Sequence, residues 1–194
     1  MTAHYFVAIP LTDTLKNHFS VWQEELKEEL PYKKWTNKLD LHITLKFLGA
    51  VEHEQLTRLQ QELKQVGNAN AFSTKAGGVG VFGNPVNPRV LWVGADKSDA
   101  LAFLYEQVEA AADRAGFTKE TRPFRPHITL AKKWDGSPNS ELVETMQAQA
   151  QFKEKRLLQV EEIVIYQIFP KQTPKYKVVS SFNLGGGECY SAIN

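Results

Sequence analysis

Cysteine is almost missing from this chain: Cys189 is the only one in 194 residues. A single thiol excludes an internal disulfide and any multi-cysteine zinc site. It lies in a glycine-rich tail, which makes it a poor candidate for a nucleophile. Long apolar runs are absent as well, and none approaches the ~18 residues a membrane span needs. The opening Met1-Thr2-Ala3-His4 has no basic stretch followed by an apolar one, so no secretory leader is expected and the cytoplasm is the expected compartment. Net charge is also scarce. Lys+Arg total 23 against 22 Asp+Glu, a formal +1. Proteins that grip long nucleic acids through many phosphates carry a larger excess. What remains is an ordinary globular composition, 42% hydrophobic and 23% charged. The length suits one medium domain or two small lobes sharing a core.

Strands are expected at Tyr5 to Ile9, Leu41 to Leu48, Phe72 to Phe82, Val90 to Ala95, His127 to Ala131, Leu157 to Phe169 and Tyr176 to Leu184. Helical spacing appears four times. Leu15, Phe19, Trp22 and Leu26 follow a Thr12 cap. Leu56, Leu59, Leu63 and Val66 end at Gly67-Asn68. Leu101, Leu104, Val108 and Ala111 follow a Ser98 cap. Leu142, Val143 and Met146 follow Ser137-Pro138, which reads as a cap and a first-turn proline. An offset of 85 aligns the two series of elements. Tyr5 maps onto Val90, Asp13 onto Ser98, Glu54 onto Asn139 and Val79 onto Val164. The order predicts an α+β protein, a single domain over 1–194 with repeat halves of about 1–85 and 86–184. Two pseudo-symmetric β-sheet lobes, with helices outside, would enclose a central cleft.

The offset also superposes His42-Ile43-Thr44-Leu45 on His127-Ile128-Thr129-Leu130. Alternation along a strand puts His42 with Thr44, and His127 with Thr129, on one face. The aliphatic residues anchor each strand from the other. A histidine titrates near neutral pH, so one ring can be neutral while its twin is protonated. Hydrolysis of a phosphodiester needs that asymmetry: one ring takes a proton from water and the other gives one to the departing oxygen. Threonine hydroxyls can donate to phosphate oxygens, and nearby cations can offset the charge. Lys33, Lys34, Lys38 and Lys46 lie around the first motif, and Arg122, Arg125, Lys132 and Lys133 around the second.

Other chemistries fit less well. A zinc hydrolase needs at least three ligands at suitable spacing, and each motif supplies one. The stretch Gly77 to Gly83 lacks the Gly-Lys-Ser/Thr ending of a phosphate loop and reads as a bulged strand. His4, His18 and His53 have no repeated context and read as structural or solvated. Trp35 precedes the first motif in a polar loop and can stack on a base. Phe47, inside an apolar strand, reads as core.

The paired His-x-Thr motifs resemble those of the 2H phosphoesterase superfamily. More narrowly, the chain looks like the LigT-like RNA 2′,3′-cyclic phosphodiesterases. The similarity rests on Tyr5 to Pro10, Asp40 to Gly49, Arg89 to Gly94 and Arg122 to Lys132. It implies a bilobal fold and metal-independent, cofactor-free hydrolysis of a 2′,3′-cyclic phosphate on an RNA end or small nucleotide to a 2′-phosphate. His42 would protonate the leaving 3′ oxygen and His127 would activate water; the residues alone do not choose between these roles. Thr44, Thr129, Arg125, Lys132 and Trp35 are the candidate substrate contacts. Relatives often carry arginine at the position of Lys132, so the bidentate fork is lost while the charge stays. A monomer is expected. A non-catalytic nucleotide or RNA-end binding module remains open as an alternative, as does the same chemistry on another cyclic phosphate or a 2′–5′ linkage.

Overall fold

The computed structural model describes residues 3–185 and 190–191; Cys189 lies outside them. Strand β1 (His4–Pro10) leads into helix α1 (Asp13–Glu29), whose first turn is capped by the Thr12 hydroxyl accepting from the Leu15 N–H. Then come β2 (Tyr32–Trp35), a 3-10 turn (Lys38–Asp40), β3 (His42–Ala50), α2 (His53–Val66) and β4 (Phe72–Asn84). The second series runs β5 (Asn87–Ala95), α3 (Asp99–Arg114), β6 (His127–Trp134), α4 (Ser140–Ala148) and β7 (Lys155–Val160). It closes with β8 (Glu162–Ile168), β9 (Tyr176–Asn183) and β10 (Tyr190–Ser191).

The helical faces read from spacing are the buried ones on α1, α2 and α3. Each such aliphatic or aromatic side chain contributes ~1.5–3 kcal/mol on burial. Helix α4 starts later than its Ser-Pro signal, because the Asn139 side chain accepts from the Leu142 N–H and is the actual cap. The expected strand from Leu157 to Phe169 breaks at Glu161 into two strands that pair at distant places in the sheet. Strand β2 has no counterpart among the expected elements. It pairs antiparallel with the end of β6, placing Lys34 beside Lys132. No helix among the described residues is long and apolar enough to cross a membrane.

All strands join one antiparallel sheet in the order β10-β9-β8-β1-β3-β6-β5-β4-β7, with β2 beside β6. Two groups meet at the β3–β6 junction through a single pair, Ile43 opposite Ile128. The expected pseudo-symmetric halves therefore join edge to edge in one sheet rather than as two sheets meeting face to face. They also exchange strands. β4 of the first half pairs with β5, and β8 of the second pairs with β1. Ile43 and Ile128 are fully buried on the helix-covered side, so both motifs turn their histidine and threonine to the other face.

Candidate active site

The Ile43–Ile128 pair acts as a local twofold axis. Continuing its antiparallel register sets His42 on the side of Thr129 and Thr44 on the side of His127. Each imidazole is held in the same way. His42 Nδ1 donates to the Asp40 carbonyl at 2.6 Å, and His127 Nδ1 donates to the Arg125 carbonyl at 2.7 Å. Two carbonyls two residues upstream thus fix the same tautomer in both rings and leave Nε2 for chemistry. His42 Nε2 accepts from the Thr44 hydroxyl at 3.0 Å.

The flanks of each histidine are aromatic. Phe6, Tyr176 and Tyr166 lie 4.7, 5.3 and 5.8 Å from the His42 ring. Phe82 meets His127 edge-on at 4.8 Å, and Trp92 lies 6.4 Å away. Trp92 reaches this position because Gly80 opposite it has no side chain: a Cβ there would come within 2.3 Å of the indole. The Asp40 carboxylate is buried and accepts the Lys175 and Tyr176 N–H groups at 3.0–3.1 Å. It ties the start of β9 to the first motif and so places Tyr176 against His42.

A β-bulge sets the facing of the residues just beyond each motif. Leu45 is skipped in the β1–β3 ladder and Leu130 in the β5–β6 ladder, positions 85 apart. Each bulge reverses the alternation by one residue. Phe47 and Lys132, five residues after their histidines, thereby come onto the same face as the imidazoles. Phe47 is 66% exposed and lines the cleft, so its assignment to the core is corrected. The displaced residue is Lys46, which is buried and donates to Glu109 at 2.8 Å and to the Thr118 carbonyl at 2.7 Å. It is no free cation at the site. The second bulge is secured from below. The Leu130 carbonyl accepts from buried Gln23 at 2.9 Å and from the Thr36 N–H at 2.9 Å.

A cleft of about 820 Å³ brings together all seven residues expected at the site: Trp35, His42, Thr44, Arg125, His127, Thr129 and Lys132. Trp35 is half-buried at its edge, with the indole N–H donating to the Tyr32 carbonyl at 3.1 Å. His4, His18 and His53 do not line it. Sequence reasoning gave no site role to Phe6, Tyr176 and Lys175, which lie outside the two His-x-Thr motifs. Among the described residues, no three His, Cys, Asp or Glu side chains converge as a metal site would require. Electrostatics favour two neutral rings in the free protein. Burial pushes the His42 pKa down to about 4, aided by the Lys132 and His127 charges. Burial and Lys132 lower that of His127 too. Lys132 is itself lowered by burial and by Lys175. Burial raises the Tyr166 phenol to about 12, so it stays protonated.

The 2′-5′ RNA ligase superfamily model matches residues 13–168. The chain belongs to this superfamily. A Bacillus subtilis RNA 2′,3′-cyclic phosphodiesterase is 35% identical over 184 residues, covering 93% of this chain and 96% of that protein. A Geobacillus stearothermophilus protein of the same name is 35% identical over 187 residues, 95% of this chain but only 58% of its own length. The fold of E. coli LigT, crystallised in complex with 3′-AMP, superposes with a TM-score of 0.72 at 20% identity, over 95% of this chain and 99% of that one.

Proposed function

We propose that this protein hydrolyses the 2′,3′-cyclic phosphate of RNA ends, or of small cyclic nucleotides, to a 2′-phosphomonoester. The observation that carries the proposal is the matched pair of Nδ1-anchored imidazoles, each with a threonine, on one face of a twofold strand junction. His127 Nε2 takes a proton from water as the water oxygen bonds to phosphorus. The bond from phosphorus to the 3′ oxygen breaks, and His42 Nε2–H supplies the proton to that oxygen. The geometry treats the two rings alike; the acid and base roles are those implied by the sequence resemblance. Thr44 and Thr129 donate to the non-bridging oxygens, and Lys132 and Arg125 offset their charge. The chain acts as a cytoplasmic monomer in this reading. The Bacillus subtilis and Geobacillus stearothermophilus relatives named RNA 2′,3′-cyclic phosphodiesterase support the cyclic-phosphate reading.

The test is phosphorus NMR of the product from a short RNA ending in a 2′,3′-cyclic phosphate. A 2′-phosphate is expected, with the rate undiminished in EDTA. A 3′-phosphate, or a need for added divalent ion, would overturn the mechanism. The exposed ring of Phe47 is placed to stack on the terminal base, with Trp35 at the rim. Base–aromatic stacking is worth ~1–3 kcal/mol. Phe47→Ala is therefore expected to raise KM about tenfold with little change in kcat or in melting temperature, as steady-state kinetics and a thermal melt would show.

A further inference from the structure

A second groove, of about 590 Å³, opens from the catalytic cleft. Lys34, Asn87, Arg89, Lys132, Lys133 and Trp134 line it, and no carboxylate does. Lys34, Arg89 and Lys132 line both spaces, so the two are continuous. Among the described residues, Lys34, Arg89, Lys132 and Lys133 join no ion pair. Neighbouring basic groups are neutralised instead: Lys33 by Asp135 at 2.6 Å, Lys46 by Glu109 at 2.8 Å and Arg122 by Glu120 at 2.7 Å. In a chain of net charge +1, an unpaired cationic lane leading to one end of the cleft is a local concentration of charge. The lane is built from the sheet. Lys34 and Lys132 are cross-strand partners, so their side chains leave the same face roughly 5 Å apart. Lys133 has φ +67°, a left-handed backbone uncommon for a residue with a Cβ. Such conformations cluster where function holds them.

We propose that this groove is the track for the RNA chain as it enters the cleft. A 2′,3′-cyclic phosphate can only be the 3′ end of a strand. Every remaining nucleotide therefore extends away in the 5′ direction. Lys132 meets the reacting phosphate, and the preceding phosphates pass Lys34, Arg89 and Lys133, with Trp134 as the aromatic wall. Single-stranded RNA is held by this combination of a cationic groove and aromatic faces. A few phosphates need only a few cations, so the low overall charge is no obstacle. The proposal rests on the cyclic-phosphate reading and makes an oligonucleotide end, rather than a free mononucleotide, the preferred substrate.

The test compares a 2′,3′-cyclic mononucleotide with a short single-stranded RNA bearing the same terminus. The paired substitution Lys34→Gln with Arg89→Gln, which removes the cations without placing a carboxylate beside Lys132, is expected to raise KM for the oligonucleotide about tenfold. Its dependence on log salt should become shallower by ~0.7 for each phosphate that the variant no longer neutralises. The mononucleotide, which meets Lys34 and Arg89 only where they line the cleft, should lose several-fold less than the oligonucleotide, and with Lys133→Gly, a position that lines the groove but not the cleft, its turnover should change less than twofold. Lys133→Gly relieves the left-handed backbone, so it should raise the melting temperature while still raising the oligonucleotide KM. That combination cannot come from unfolding. Equal losses on both substrates, or an unchanged oligonucleotide KM, would overturn the track while leaving the reaction intact. A wild-type protein that turns over neither substrate would overturn the reaction and the track together.

Discussion

His42→Ala and His127→Ala are each expected to lower kcat by about 10²–10⁴-fold, the range supplied by a positioned general acid or base. The double variant should be little worse than either single, because the two proton transfers belong to one displacement and their losses are not additive. Affinity for the 2′-phosphate product should fall far less, since Thr44, Thr129 and Lys132 remain to hold it. His42 sits among Phe6, Tyr166 and Tyr176, so its removal opens space in that cluster. A thermal melt and product binding by each variant separate lost chemistry from lost fold. Either single variant retaining activity within tenfold of wild type would remove that histidine from the mechanism.

The strand faces, the helical stripes and the 85-residue repeat are legible in the sequence because they are local periodicities. The four-residue motif carries both the proposed function and an orientation, since alternation alone puts histidine and threonine together. The next few residues are not legible. A bulge is one unpaired residue, and apolar Leu45 and Leu130 give no sign of it. Without it, alternation from Thr44 sends Lys46 to the site and Phe47 to the core, the reverse of the structure. Lys132 lines the cleft, as its charge and its place in the motif suggest, although regular alternation would have turned it away from His127. Gln23 looks like a polar interruption near the apolar stripe of α1, yet it satisfies the bulge carbonyl 107 residues away. Strand exchange between halves is equally hidden. Periodicity says that β4 and β8 are strands and nothing about which neighbour each chooses. Asp40 reads in the sequence only as part of the family motif, but its carboxylate brings in β9 and with it Tyr176 and Lys175. Those contacts depend on pairings across most of the chain, and no short-range pattern encodes them.

The pH dependences of kcat/KM and of kcat are expected to separate, with kcat/KM peaking below pH 6.5. The first reports the free protein and the second the complex. Catalysis needs one ring protonated and the other neutral. In the free protein both pKa values lie below the ordinary 6.5, His42 at about 4. Above pH 7, moving His42 from 6.5 to about 4 cuts its protonated fraction by roughly 300-fold. With His42 as the acid, the free enzyme is therefore scarce in its working form at neutral pH; with His127 as the acid, the lowered pKa acts in the same direction. A bound cyclic phosphate brings a negative charge to the point where Lys132 and the partner imidazole had been repelling the proton. That charge raises the pKa of the ring it faces. The descending limb of kcat should accordingly lie at higher pH than that of kcat/KM. Lys132→Gln removes a cation that repels the proton on both rings. It should move the descending limb of kcat/KM to higher pH even as KM rises. The stability of the free protein tracks the same protons. His42 takes its proton more readily unfolded than folded, so its contribution is complete above pH 6.5 and is lost as pH falls toward about 4. Denaturant midpoints measured across that window should climb with pH in wild type, and more weakly in His42→Ala. Coincident profiles for kcat and kcat/KM would mean that substrate charge does not recruit the acid.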